Sequence, residues 1–237
     1  MIMKTPYIDL SREGVNGKVL RFYPIMIRTF DDLPGNTSLV IHSLAGCNLH
    51  CLGCHNYDEL VASKHEHYLL AGDILQQIKM NGYLFDALIF SGGEFLMGNL
   101  AEISSFLAEL KKGFPGKIII NTNGTFPEKI RHLLERELAD GIHIDMKLPY
   151  HAFDKNVDMA AYQAVLGVVP TPVLVQNMMS AIQLVIRHNS PFSQVRTVKY
   201  PVLSEEYFEQ IRSYVDELKE RYNSEVTYKL NEFYFPA

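Results

Sequence analysis

The chain alternates between two hydrophobic periods, and this alternation restricts its fold more than any other feature. Short, mostly apolar runs of strand length recur at 37–43 (TSLVIHS), 86–90 (DALIF), 117–121 (KIIIN) and 141–147 (GIHIDMK). An alternating run follows at 194–199 (QVRTVK), and a last one at 226–230. Continuous apolar runs of this length suit strands buried on both faces. Helical patterns lie between them. Ile74, Leu75 and Ile78 mark 71–81, and Leu100, Ile103, Leu107 and Leu110 mark 99–112, which runs into Lys-Lys-Gly. Further helices are expected at 127–138, which opens on Pro, at 176–187, and at 204–222, which opens on Ser-Glu-Glu. Proline in the first turn, serine followed by acids, and a closing glycine are helix-end signals with known electrostatic and steric causes. Strands alternating with helices imply a parallel sheet with helices outside. About six such units fit, fewer than the eight of a closed TIM barrel. An α/β fold, a partial and open (β/α)6 TIM-like barrel, is therefore expected over 34–237. Residues 1–33 read differently: 7–10 and 18–27 flank Gly14 to Gly17, with Asn16-Gly17 as the turn of a β-hairpin. This N-terminal extension is expected on the barrel edge.

Composition narrows the function. At 237 residues, 47% hydrophobic and 21% charged, the chain has the make-up of a globular domain. A net charge of −5 without a basic run argues against nucleic-acid binding. No apolar stretch approaches the ~20 residues of a membrane span, and residues 1–10 hold no apolar core of a secretory signal. A cytoplasmic protein is expected.

The three cysteines, Cys47, Cys51 and Cys54, stand in Gly46-Cys47-Asn48-Leu49-His50-Cys51-Leu52-Gly53-Cys54-His55-Asn56. An odd number in so short a span is a poor disulfide framework. The C-x3-C-x2-C run follows the first barrel strand directly, so it sits on a βα loop, where parallel barrels build their active faces. Three thiolates on one loop can bind three irons of a [4Fe–4S] cube and leave the fourth iron open to a small molecule. Clusters held by four cysteines usually transfer electrons. Two other readings stand beside this one. A zinc site can be made of Cys47, Cys51 and Cys54 with His55 or His50. Three buried structural thiols are the other reading, which the Asn/His/Gly context disfavours.

The same spacing, with three more motifs in order at strand ends, resembles the radical S-adenosylmethionine (SAM) enzymes. Ser91-Gly92-Gly93-Glu94 is similar to their GGE motif, Thr122-Asn123-Gly124 to their TNG segment, and Asp145-Met146-Lys147 to the DxK of glycyl-radical activases. The resemblance covers most of the chain and implies a radical SAM core. In that family a reduced [4Fe–4S] cluster gives one electron to SAM bound at the open iron. SAM parts into methionine and a 5′-deoxyadenosyl radical, which takes a hydrogen atom from the substrate. Cys47, Cys51 and Cys54 are then the metal ligands and the catalytic centre. Gly92 and Gly93 let backbone approach the ligand closely, and Glu94 supports the turn or the ligand's positive charge. Lys147 and Arg196 are the candidate cations for the SAM carboxylate. Asp145 and Asn121 are candidates for a polar or monovalent-cation site beside SAM. Asn123 belongs to the TNG segment, and His55 is placed to bond a sulfide or line the adenine pocket. Plainer readings accompany these: a solvated loop acid for Glu94, and an Asp145–Lys147 ion pair, because i and i+2 share a strand face.

Residues 30–35 (FDDLPG) and Cys54-His55-Asn56 are similar to enzymes that activate glycyl-radical proteins, such as activases of pyruvate formate-lyase and of anaerobic ribonucleotide reductase. Gly53 stands where many radical SAM families carry an aromatic residue. The segment 198–206 resembles the later part of one longer activase branch. The extra cysteines of activases with ferredoxin-like domains are missing. The resemblance implies a glycyl-radical enzyme as protein partner and a flavodoxin or ferredoxin as reductant. Two alternatives from other classes are a small-molecule radical SAM enzyme, such as a 7-carboxy-7-deazaguanine synthase, and a non-catalytic metal-binding or electron-transfer protein. The synthase family prefers Asp where this chain has His55.

Overall fold

Each apolar run becomes a strand because its aliphatic residues, many of them β-branched, fit a pleated surface covered on both sides. The computed structural model describes residues 19–235. In chain order it contains β1 (Arg21–Phe22), β2 (Ile27–Thr29), β3 (Ser38–Ser43), β4 (Leu69–Leu70), α1 (Ala71–Asn81), β5 (Ala87–Gly92), α2 (Leu100–Gly113), β6 (Lys117–Thr122) and α3 (Pro127–Glu135). There follow β7 (Gly141–Asp145), α4 (Met159–Leu166), α5 (Pro172–His188), β8 (Gln194–Lys199), α6 (Glu205–Tyr222) and β9 (Thr227–Glu232).

All strands join one sheet in the order β4-β1-β3-β5-β6-β7-β8-β9, with β2 also on β3. Strands β3 and β5 to β9 run parallel. They are the six units expected from the sequence. The two ends of the order do not pair, so the sheet stays open. Short antiparallel strands β1 and β2 cover the far edge of β3, which an exposed edge requires.

Side-chain alternation divides the sheet into two faces. Leu88, Phe90, Ile118, Ile120, Ile142 and Ile144 point to the helices and join the main core. Val40, Ala87, Ile89 and Ile119, closed by Leu33, form a smaller cluster on the other face. Two positions further along β5 and β6, that second face carries Ser91 and Asn121. The inner face is thus apolar at the strand starts and polar at the strand ends. Among the described residues, no helix is long and apolar enough to cross a membrane.

The structure departs from expectation at three helices. Helix α5 begins at Pro172 rather than at 176, because the Thr171 side chain accepts from the Leu174 amide at 3.2 Å and proline fits the first turn. Helix α3 stops at Glu135, and Glu137 takes a positive φ of 54°. Helix α4 was not expected at all. Of the N-terminal hairpin, the turn and the 7–10 arm lie outside the described residues. The other arm yields β1, a break, and β2, whose partner is β3.

Candidate functional site

Strand register brings the motifs together. Ser43 pairs with Gly92, and Asp145 with Arg196. The loops that leave β3, β5, β6 and β7 therefore open at one end of the sheet. The glycine pair has a reason that sequence reasoning placed elsewhere. A Cβ on Gly92 (φ 127°) would lie 2.3 Å from the Ser43 carbonyl oxygen, and one on Gly93 2.3 Å from that of Gly46. The glycines admit the start of the cysteine loop, which the Glu94 amide then binds by donating to the Gly46 carbonyl at 2.7 Å. Asn56, just past the last cysteine, donates to the Gly92 carbonyl at 3.0 Å.

The far side of the cysteine loop rests on α4. The His50 amide donates to the Leu166 carbonyl and the Leu52 amide to that of Val165, each at 3.0 Å. Helix α4 ends on Gly167 in the left-handed region (φ 67°), which glycine tolerates best. A third support is the 122–125 segment. Asn123 Nδ2 donates to Asn48 Oδ1 at 3.0 Å and lies 3.9 Å from Cys47 Sγ. Asn48 Nδ2 donates to Thr125 Oγ1 at 3.0 Å. Behind the loop, Tyr57–Ala62 forms a π-helical turn, a rare element often found beside functional sites.

These elements enclose a cavity of about 410 Å3. Its wall includes Cys47, Cys51, Cys54, His55, Gly92, Gly93, Asn121, Asn123, Asp145, Lys147 and Arg196. Every site residue singled out in the sequence lies there except Glu94. That carboxylate is 1% exposed and lies beneath the wall. It accepts from the Asn123 amide at 2.7 Å, the Leu96 amide at 3.1 Å and the Thr122 hydroxyl at 3.0 Å. It ties the 92–94 turn to the 122–125 turn. His50 also stays off the wall, stacked on Tyr57 at 3.7 Å.

Charge is concentrated at the β7 and β8 ends. Asp145 accepts from Lys147 at 2.5 Å and pairs with Arg196 at 3.5 Å, and Arg196 reaches Asp32 at 3.7 Å. The 30–35 segment thus contributes a carboxylate behind the site. Burial pushes the Asp145 carboxyl upward, but the two cations outweigh it and hold it below the usual range. Burial opposes the charge on Lys147 as well, yet Asp145 keeps its amine well above the ordinary value. Burial lifts the Cys51 thiol to about 11 against the pull of Lys147, and lifts Cys47 too.

The donor set fits an iron–sulfur cluster. Three half-buried thiols line one cavity, and thiolates suit such clusters. Among the described residues, no three His, Cys, Asp or Glu side chains are gathered tightly enough to hold one ion. Asn121 Oδ1 is buried without a protein partner, an acceptor left for a ligand. Sequence reasoning missed Tyr200, Glu232, Phe233 and Tyr234 on the wall. The last three follow from β9 ending at Glu232, and a strand C-terminus was the available signal.

Glu94 carries a prediction. Burial raises its carboxyl from 4.5 to about 7, although the Asn123 and Leu96 amides and the Thr122 hydroxyl favour the charged form. The folded chain therefore holds this proton more tightly than the unfolded chain. Its contribution to stability is fully present below pH 4.5 and is lost as pH rises through 7. Relative to Glu94→Gln, the unfolding free energy of the wild type should fall by roughly 2–4 kcal/mol across that window. Urea unfolding at several pH values checks this, and parallel pH profiles would refute it.

Known proteins offer three comparisons. Residues 33–161 match the family described as a 4Fe-4S single cluster domain. The chain is 34% identical over 182 residues to a protein of Methanocaldococcus jannaschii provisionally named a glycyl-radical enzyme activating enzyme, covering 76% of this chain and 69% of that one. In structure it is similar to anSMEcpe solved with bound AdoMet, with a TM-score of 0.54 and 14% identity over 81% of this chain. It spans 50% of the length of anSMEcpe. The superposition on QueE from Escherichia coli covers 90% of this chain and 94% of that one, with 14% identity and a TM-score of 0.43.

Proposed function

Because this chain belongs to the 4Fe-4S single cluster domain family, among the radical SAM enzymes, we propose that it cleaves SAM to place a radical on a glycine of a partner enzyme. The observation that carries this reading is the common wall: three thiols on one loop face the same cavity as Gly92-Gly93, Asp145, Lys147 and Arg196. Cys47, Cys51 and Cys54 would hold the cluster, which would supply the one electron that reductive cleavage of SAM needs.

The protein's own share is binding and orientation. Lys147 and Arg196 are the cations for the methionine carboxylate. Asp145 touches both and fixes them, while a guanidinium with five N–H donors and an ammonium with three keep donors for a second carboxylate. The 92–93 carbonyls and Asn121 Oδ1 are the acceptors for its ammonium. Asn123, donating toward Cys47 Sγ, is placed to tune the cluster, because hydrogen bonds to sulfur shift cluster potential. His55 is exposed on the wall and stands where the ligand's outer part would lie.

The activase reading draws support from Cys54-His55-Asn56, from Asp145-Met146-Lys147 and from the name of the M. jannaschii relative. Anaerobic ribonucleotide reductase is our first choice of partner, with a flavodoxin or ferredoxin as electron donor. Anaerobic EPR tests this. Reconstituted, reduced protein mixed with SAM and the ribonucleotide reductase of the same organism should give a glycyl doublet together with 5′-deoxyadenosine. Formation of 5′-deoxyadenosine without a doublet on any glycyl-radical protein would sink the activase reading. No 5′-deoxyadenosine from a fully loaded cluster would sink SAM cleavage itself.

A further inference from the structure

The cavity wall holds two chemically different sets of residues. One comprises Gly92, Asn121, Asp145, Lys147 and Arg196, and suits a zwitterion. The other comprises Gly53, Tyr200, Phe233 and Tyr234. Gly53, next to Cys54, holds a left-handed φ of 61° that an aromatic residue adopts only with strain. The space its side chain would enter is already taken. A Cβ on Gly53 would lie 2.5 Å from Phe233 Cζ and 2.6 Å from Cε2. The ring comes from just beyond β9 and meets the cysteine loop by its edge, while the residue also lines the cavity. Tyr200 at 5.8 Å and Phe235 at 4.9 Å between ring centroids set its orientation.

We propose that Phe233 supplies, from the far end of the chain, the aromatic wall on which the adenine of SAM rests, in place of the side chain that Gly53 lacks. The inference rests on the SAM-cleaving reading above. Flat bases gain affinity on aromatic faces and lose it when the ring is removed. The strand that closes the sheet order thereby completes the cofactor cavity, and Gly53 and Phe233 act as one unit.

Phe233→Leu keeps apolar bulk against Gly53 but has no ring, and Phe233→Tyr keeps the ring. Equilibrium dialysis of SAM against reconstituted wild type and both variants, with iron content and thermal unfolding measured on each, decides the matter. Phe233→Leu should bind SAM about tenfold more weakly at unchanged iron content, and Phe233→Tyr should stay within about twofold of wild type. Wild-type affinity in Phe233→Leu would overturn the proposal. So would an equal loss in Phe233→Tyr, or a parallel loss of iron, since either marks a packing role. Wild type that holds its cluster and binds no SAM is a separate outcome, which overturns the SAM reading and this inference with it.

Discussion

Cys51→Ser should leave the fold standing and abolish SAM cleavage. The change replaces one half-buried sulfur by oxygen in a side chain of the same shape, so the metal-free protein should lose no more than about 1 kcal/mol. The effect on the centre is of another order. A serine hydroxyl is a far poorer ligand for iron than a thiolate, and two remaining thiols on one loop cannot hold a cube. Iron and sulfide per chain, the denaturation midpoint of the metal-free form, and 5′-deoxyadenosine after reduction with SAM form the test. A fully loaded cluster with retained cleavage in the variant would remove the cluster assignment.

The second large effect is expected far from any cysteine in sequence. Gly167→Ala should destabilise the protein by about 3–5 kcal/mol, since it combines left-handed strain with a backbone clash. The added Cβ would lie 1.8 Å from the His50 carbonyl oxygen, a backbone atom that cannot turn aside. Relief requires moving either the end of α4 or the cysteine loop, and both hydrogen bonds that His50 and Leu52 make to α4 are lost with the movement. The variant should therefore also reconstitute with less iron than wild type, although no ligand has changed. Urea unfolding with iron analysis measures both, and wild-type values in both would show that the α4 contact is dispensable.

These two sites show what could be read from the chain and what could not. The strands were legible because continuous runs such as KIIIN have one economical use, a strand covered on both faces, and β8 appears with the bounds its alternation marked. Cys51 was legible because its spacing is chemistry written locally. Helix α4 was not. Its residues (MAAYQAVL) carry no capping side chain and no amphipathic stripe, and tertiary contact to the cysteine loop supplies what propensity lacks. The glycine pair was recognised as a place of close approach, but the neighbour proved to be the β3 end and its loop, which only strand register reveals. Glu94 was singled out, yet its depth beneath the wall depends on one donor from its own turn and two from the 122–125 segment. Phe233 had only its place just past the last strand as a signal. Its importance comes from an absence at Gly53, a position 180 residues away that only the folded sheet brings beside it.

The grip of α4 on the cysteine loop also sets a timetable for biogenesis. A nascent chain displays its three thiols early, but Leu166, which anchors His50, leaves the ribosome 116 residues after it. Until then the loop lacks its partners on α4, and the cysteines belong to an unfinished sheet. Iron offered during translation would meet thiols with no fixed spacing, open to any soft metal in the cell. The shape of the loop that carries the three thiols therefore depends on residues made long after it.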